Sequence, residues 1–133
     1  MKWYNEYREQ YDSERAQVIY KPLGWDLNDI YRYGRNFSLA FVDGGDRVAE
    51  LEFAYHLIAE NGVVFLHDAH CEDYEEGIRC YPFVYFPERH SCILTKSEHL
   101  HKRIKMAVTS DYSCRCRYCS SEARRLYFNQ FVQ

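Results

Sequence analysis

Residues 37–70, FSLAFVDGGDRVAELEFAYHLIAENGVVFLHDAH, decide the fold. The stretch opens with a largely apolar run of strand length that ends at Asp43, and its last apolar run, Val63 to His67, ends beside Asp68. Between them, residues 47–60 place Val48, Leu51, Tyr55 and Ile58 on one face at helical spacing. Asp46 is suited to cap that helix at its start, and Asn61-Gly62 to stop it. Strands that are apolar on both faces and joined by a helix predict a parallel β-α-β unit. In an open parallel sheet, ligands bind outside the carboxyl ends of the strands. Asp43 and Asp68 therefore come to one edge, with His67 and His70 beside them. Carboxylates and imidazoles gathered there can hold a divalent ion or move a proton. Asp46 reads as a cap and nothing more.

Upstream, residues 3–16 read as a helix free of Gly and Pro. Residues 17–20, QVIY, read as a short strand stopped by Pro22 and Gly24. Residues 26–34 read as a short helix, with Asp26 as its cap and Gly34 at its end. Downstream, an acidic loop over 68–79 leads to two strands, 80–86 and 91–96. The four residues PERH between them favour an antiparallel hairpin. Residues 97–108 and 113–131 read as mainly helical.

At 133 residues the chain has the length of one domain, and 47% apolar with 28% charged residues argues against a disordered chain. No apolar run approaches the roughly 18 residues of a membrane span, so no membrane is expected. The polar start, MKWYNEYREQYDSERAQ, lacks the apolar core of a signal peptide, which points to a cytoplasmic protein. Charge is uneven. Residues 97–133 carry seven Lys and Arg against three acids, while the other residues sum to −7. That basic region could meet phosphates or acidic partners, nucleic acid among them, although solvated helix faces account for it as well.

The same residues 37–70 resemble the second half of a class I S-adenosylmethionine-dependent methyltransferase. In that family a strand ending in Asp-Gly leads into a helix, a Gly-Gly-Val-type turn and a strand ending in His-Asp or Asp-Asp. An antiparallel strand pair then closes the sheet, as 80–96 would here. The resemblance implies an α/β fold: a reduced Rossmann-like methyltransferase sheet, mostly parallel, with an antiparallel hairpin at about 80–96 and helices on both faces. It covers about residues 17–96. Residues 1–133 then form a single domain, with 97–133 as a basic, Cys-rich helical extension. The resemblance further implies S-adenosylmethionine as cofactor, with Asp26, Asp43 and Gly44 on the cofactor side. Asp43, His67, Asp68 and His70 become the catalytic candidates, and Asp43 with Asp68 the ligands of a divalent metal. The family's Gly-rich cofactor loop has no counterpart upstream of residue 37, where PLGW and YGRNF supply one Gly each.

Residues 114–119, CRCRYC, bring Cys114, Cys116 and Cys119 together, and the last two have the Cys-x2-Cys spacing of zinc sites. His99 or His101 could complete such a set, and reduced or disulfide-bonded cysteines explain the cluster equally well. Cys71 beside His70 offers an imidazole-activated thiol, for which a plain loop cysteine is the simpler account. A second function class stands beside the enzyme. A non-catalytic module of the same fold would form a homodimer through an open sheet edge and bind nucleic acid or protein through its basic C-terminal region.

Overall fold

A computed structural model describes Asn5 and residues 27–108 of the chain, Arg89 excepted. The stretches 3–16, 17–20 and 113–131, together with Asp26, Cys114, Cys116 and Cys119, lie outside the described residues. The chain divides into two compact units, Met1–Arg32 and Tyr33–Gln133. In the first, helix α1 spans Leu27–Tyr31, and just beyond it Arg32 lies 3.8 Å from Asp29.

The second unit holds strand β1 (Phe37–Val42), helix α2 (Arg47–Leu57), strand β2 (Ile58–His67) and a 3-10 turn at Glu72–Tyr74. Helix α3 (Glu75–Arg79), strands β3 (Phe83–Tyr85) and β4 (Ser91–Thr95), and helix α4 (Glu98–Ala107) follow. The strand order is β1-β2-β4-β3. β1 and β2 run parallel, as expected of the β-α-β unit, while β4 is antiparallel to both β2 and β3. Among the described residues the sheet is mixed: β1, β2 and β3 share one direction and β4 alone runs against them, because the β3–β4 hairpin folds its second strand back against β2.

Alternation sorts the side chains to two faces. Val42, Val64, Leu66, Cys92 and Leu94 pack with Leu51 and Ala54 of α2 and Ile78 of α3 in one buried cluster. Each fully buried Leu or Ile there contributes about 1.5–3 kcal/mol relative to an exposed one. Tyr81 closes the cluster with its polar end satisfied, its hydroxyl donating to the Leu51 carbonyl at 2.8 Å. Val84 faces this core, and its neighbours Phe83 and Tyr85 face away, toward α4. There the Phe83 ring stacks on His101, and the Tyr85 hydroxyl donates to the Val108 carbonyl. Helices therefore do lie on both faces. Ser97 caps α4, its hydroxyl accepting from the Leu100 amide at 3.2 Å.

Three sequence expectations need correction. The helix expected over 47–60 ends at Leu57, where Ile58 turns to extended backbone (φ −73°, ψ 149°) and pairs with Phe37. Asn61-Gly62 consequently lies inside β2 and stops no helix. The acidic segment 68–79 is not a plain loop, since it winds into the 3-10 turn and α3, whose Gly77 and Ile78 are buried. β1 is not buried on both sides, for Leu39 is 61% and Phe41 62% exposed on the face away from the core.

The helix-to-strand passage also explains Gly62. Phe37 pairs with Ile58 and Leu39 with Val63, so two steps along β1 answer to five along β2. The surplus residues bulge, and a Cβ on Gly62 would come within 2.7 Å of the Phe37 carbonyl oxygen. Thr95 pins the bulge from the other side, its hydroxyl donating to the Gly62 carbonyl at 2.8 Å. Gly62→Ala should therefore cost about 1–3 kcal/mol, the usual range for forcing an atom into a filled site. Urea unfolding reads this directly, and an unchanged midpoint would show that the bulge has room.

Candidate functional site

The parallel register sets Val42 opposite Leu66, so Asp43 leaves β1 beside His67 at the end of β2. The His67 ring meets Asp43 through Nδ1, 2.9 Å from Oδ1. Asp68 comes next, in the left-handed region at φ +57°, which Asp tolerates better than most residues. All three side chains are about half exposed.

Arg47, the first residue of α2, reaches back to join them. Its Nη2 donates to Asp43 Oδ1 at 3.1 Å and to Asp68 Oδ2 at 3.2 Å. Its Nη1 donates to the Tyr74 hydroxyl at 3.1 Å and to the Gly44 carbonyl. The guanidinium also lies over the Tyr74 ring, 5.0 Å from its centre. The side chain is only 12% exposed, and its buried Nε has no hydrogen-bond partner among the described residues. Two carboxylates thus share one cation.

The β1–α2 turn is built to hold Arg47 there. Asp46 caps the helix as expected, its Oδ1 accepting from the Ala49 amide at 3.2 Å. Glu50, one turn on, accepts the Gly44 amide at 3.1 Å. Both backbone groups of Gly44, the expected cofactor contact, are therefore taken internally, by Glu50 and Arg47. Burial raises the Glu50 pKa, against the opposing pull of the Gly44 amide and Arg47. Burial likewise raises that of Tyr74. Asp43 moves the other way: the hydrogen bond with His67 holds its carboxyl below the usual range against slight desolvation, and the charge of Arg47 adds to the lowering.

His70 joins a different group. Its Nδ1 lies 3.1 Å from His90 Nδ1, and the two rings meet edge to face with centres 4.6 Å apart. Two sets therefore have ligand atoms within 4.8 Å of one another: Asp43, His67 and Asp68 in one, Asp68, His70 and His90 in the other. Asp68 belongs to both. Cys71, Cys80 and Cys92 are free thiols. Cys71 donates toward Asp73 at 3.6 Å, while burial pushes the Cys92 thiol well up and leaves it unreactive.

Of the expected catalytic set, Asp43, His67 and Asp68 come together, and His70 stands beside Asp68 with a second histidine. Asp26, Cys114, Cys116 and Cys119 lie outside the described residues. Arg47, Glu50, Tyr74 and His90 are additions. The spacing of Asp43 to Arg47, four apart across a helix start, is the signal that could have pointed to the first of them. Tyr74 and His90 carry no sequence signal, since only the fold of 68–79 and the pairing of β2 with β4 bring them in. The chain matches no model of a protein family, no curated protein and no solved structure.

The pairing of Asp43 with His67 has a sign in pH. A carboxyl with a lowered folded pKa contributes stability above its unfolded value of about 3.9, and loses it as pH falls through the lowered folded value. Carbon-detected NMR should show Asp43 titrating below the ordinary range, and His67→Ala should move it back upward. Titration at the ordinary value in both proteins would mean that the contact does not form in solution.

Proposed function

We propose that the chain is a reduced methyltransferase-like domain that transfers a methyl group from S-adenosylmethionine to an oxygen or nitrogen acceptor. The observation that carries this reading is the meeting of Asp43, His67 and Asp68 at the ends of two parallel strands, with Arg47 bridging the two carboxylates. The antiparallel β3–β4 pair after them supports it, being what the family resemblance implies. The cofactor supplies an electrophilic methyl group. The chain's own residues then have to align an acceptor and take its proton, and alignment is the larger task.

His67 is the base in this reading, oriented by Asp43 at 2.9 Å as a carboxylate orients a catalytic imidazole. Arg47 occupies the cation position between Asp43 and Asp68 where the resemblance implies a divalent ion. We therefore read the guanidinium as the fixed positive charge of this site. The Gly44 backbone gives the cofactor no free group.

A second reading draws on Leu39 and Phe41, exposed on β1, the terminal strand among the described residues. An apolar terminal strand suits pairing with another copy. In that case the protein is a non-catalytic module that dimerises there and binds nucleic acid or protein through 97–133.

Calorimetry with S-adenosylmethionine and S-adenosylhomocysteine separates the two. Methyl transfer predicts saturable binding at or below millimolar ligand, weakened about tenfold by Asp43→Asn and left within about twofold by His67→Gln. No binding by monomer or dimer, together with a salt-dependent shift on adding nucleic acid, would replace the enzyme with the module.

A further inference from the structure

We infer that Asp68, His70 and His90 form a binding site for a first-row transition-metal dication such as zinc, cobalt or nickel, separate from the Arg47 cluster except for the shared Asp68. The site does not rest on the methyl-transfer reading, because no step of that reading uses His90.

Topology builds it. The antiparallel pairing of β2 with β4 ends at His67 opposite Ser91. His70, just after β2, and His90, just before β4, are therefore brought to the same corner. The corner is fastened through the backbone, since the amide of fully buried Ala69 donates to the His90 carbonyl at 2.9 Å. A further turn, from the Cys71 amide to the Asp68 carbonyl at 3.1 Å, fixes the segment that carries His70.

The spacing of the two rings is that of a ligand pair. Metal–nitrogen bonds of about 2.0–2.1 Å put two nitrogens roughly 3.3–3.4 Å apart on a tetrahedral ion and roughly 2.8–3.0 Å apart at right angles. The observed Nδ1 to Nδ1 distance is 3.1 Å. Without a metal, one ring donates Nδ1–H to the other's lone pair. With a metal, both lone pairs bind it, and each ring carries its hydrogen on Nε2.

Asp68 closes the set, with a carboxylate oxygen within 4.8 Å of a nitrogen of each ring. Arg47 engages Asp68 through Oδ2, and an ionised carboxylate has acceptor sites enough for a second partner. Two imidazoles and one carboxylate suit borderline cations over magnesium or calcium, which prefer oxygen ligands alone. Three protein ligands leave at least one position for water or for an oxygen of a bound molecule.

The test uses the whole chain, freed of metal by chelation and titrated with cobalt(II). The spectrum separates this site from the cysteines, because thiolate ligands add near-ultraviolet charge-transfer bands and imidazole with carboxylate does not. The wild type should bind at micromolar cobalt without those bands. His70→Gln and His90→Gln should each weaken binding tenfold or more, while His56→Gln, exposed on α2, should leave it unchanged. Long-range proton–nitrogen NMR of the wild type with zinc should move the ring nitrogens of His70 and His90 to the Nδ1-ligated form, which keeps the test decisive if a variant fails to fold. The site is refuted by no binding at millimolar metal, by thiolate bands that persist in both variants, or by zinc leaving these two rings unmoved.

Discussion

Two carboxylates at neighbouring ends of parallel strands repel each other, and the guanidinium of Arg47 is what lets both stand at one edge. It sits 3.1 Å from Asp43 and 3.2 Å from Asp68, and it is held in turn by the Gly44 carbonyl and by Tyr74. Exposed ion pairs contribute only about 0.2–1 kcal/mol each, so stability alone is a weak reason for the arrangement. Its stronger consequence is positional. Arg47 ties the β1 end, the β2 end, the α2 start and the 68–79 segment into one corner, and His67 is oriented because Asp43 is.

Asp68 is the hinge between two kinds of chemistry at that corner. On one side it shares a cation already supplied by the chain, and on the other it faces two imidazoles spaced to receive a cation from outside. The left-handed backbone at Asp68 fits this double duty, because it turns the chain sharply between His67 at the strand end and His70 beyond it. A residue so placed is constrained on both sides, and its loss should disturb both clusters together.

The legibility of these features in the sequence follows from the range of the forces involved. The β1-α2-β2 unit was legible because apolar runs and helical spacing are local patterns, and Asp46 as a cap because capping is local too. The end of α2 was not. Asn61-Gly62 carries the signal of a helix stop, yet the pairing of Ile58 with Phe37, a partner far away in sequence, pulls the chain into a strand before the stop is reached. Gly62 is needed all the same, for close approach to the Phe37 carbonyl rather than for a turn. Asp43 and Asp68 could be placed on one edge because strand polarity alone puts them there. Arg47 hides behind its role as a helix-start residue, and His90 behind the five residues that join β3 to β4. Each becomes visible only when tertiary pairing brings it home.

The measurement that tests the account most directly is a double-mutant cycle between Arg47 and Asp68. The unfolding free energies of wild type, Arg47→Met, Asp68→Asn and the double variant would be compared at neutral pH. If the guanidinium joins the two strand ends, the cycle returns a favourable coupling of about 0.5 kcal/mol or more, as expected of residues in one network. Effects that add to within about 0.3 kcal/mol would mean that the two side chains do not interact in solution, and the shared edge would lose the interaction that organises it.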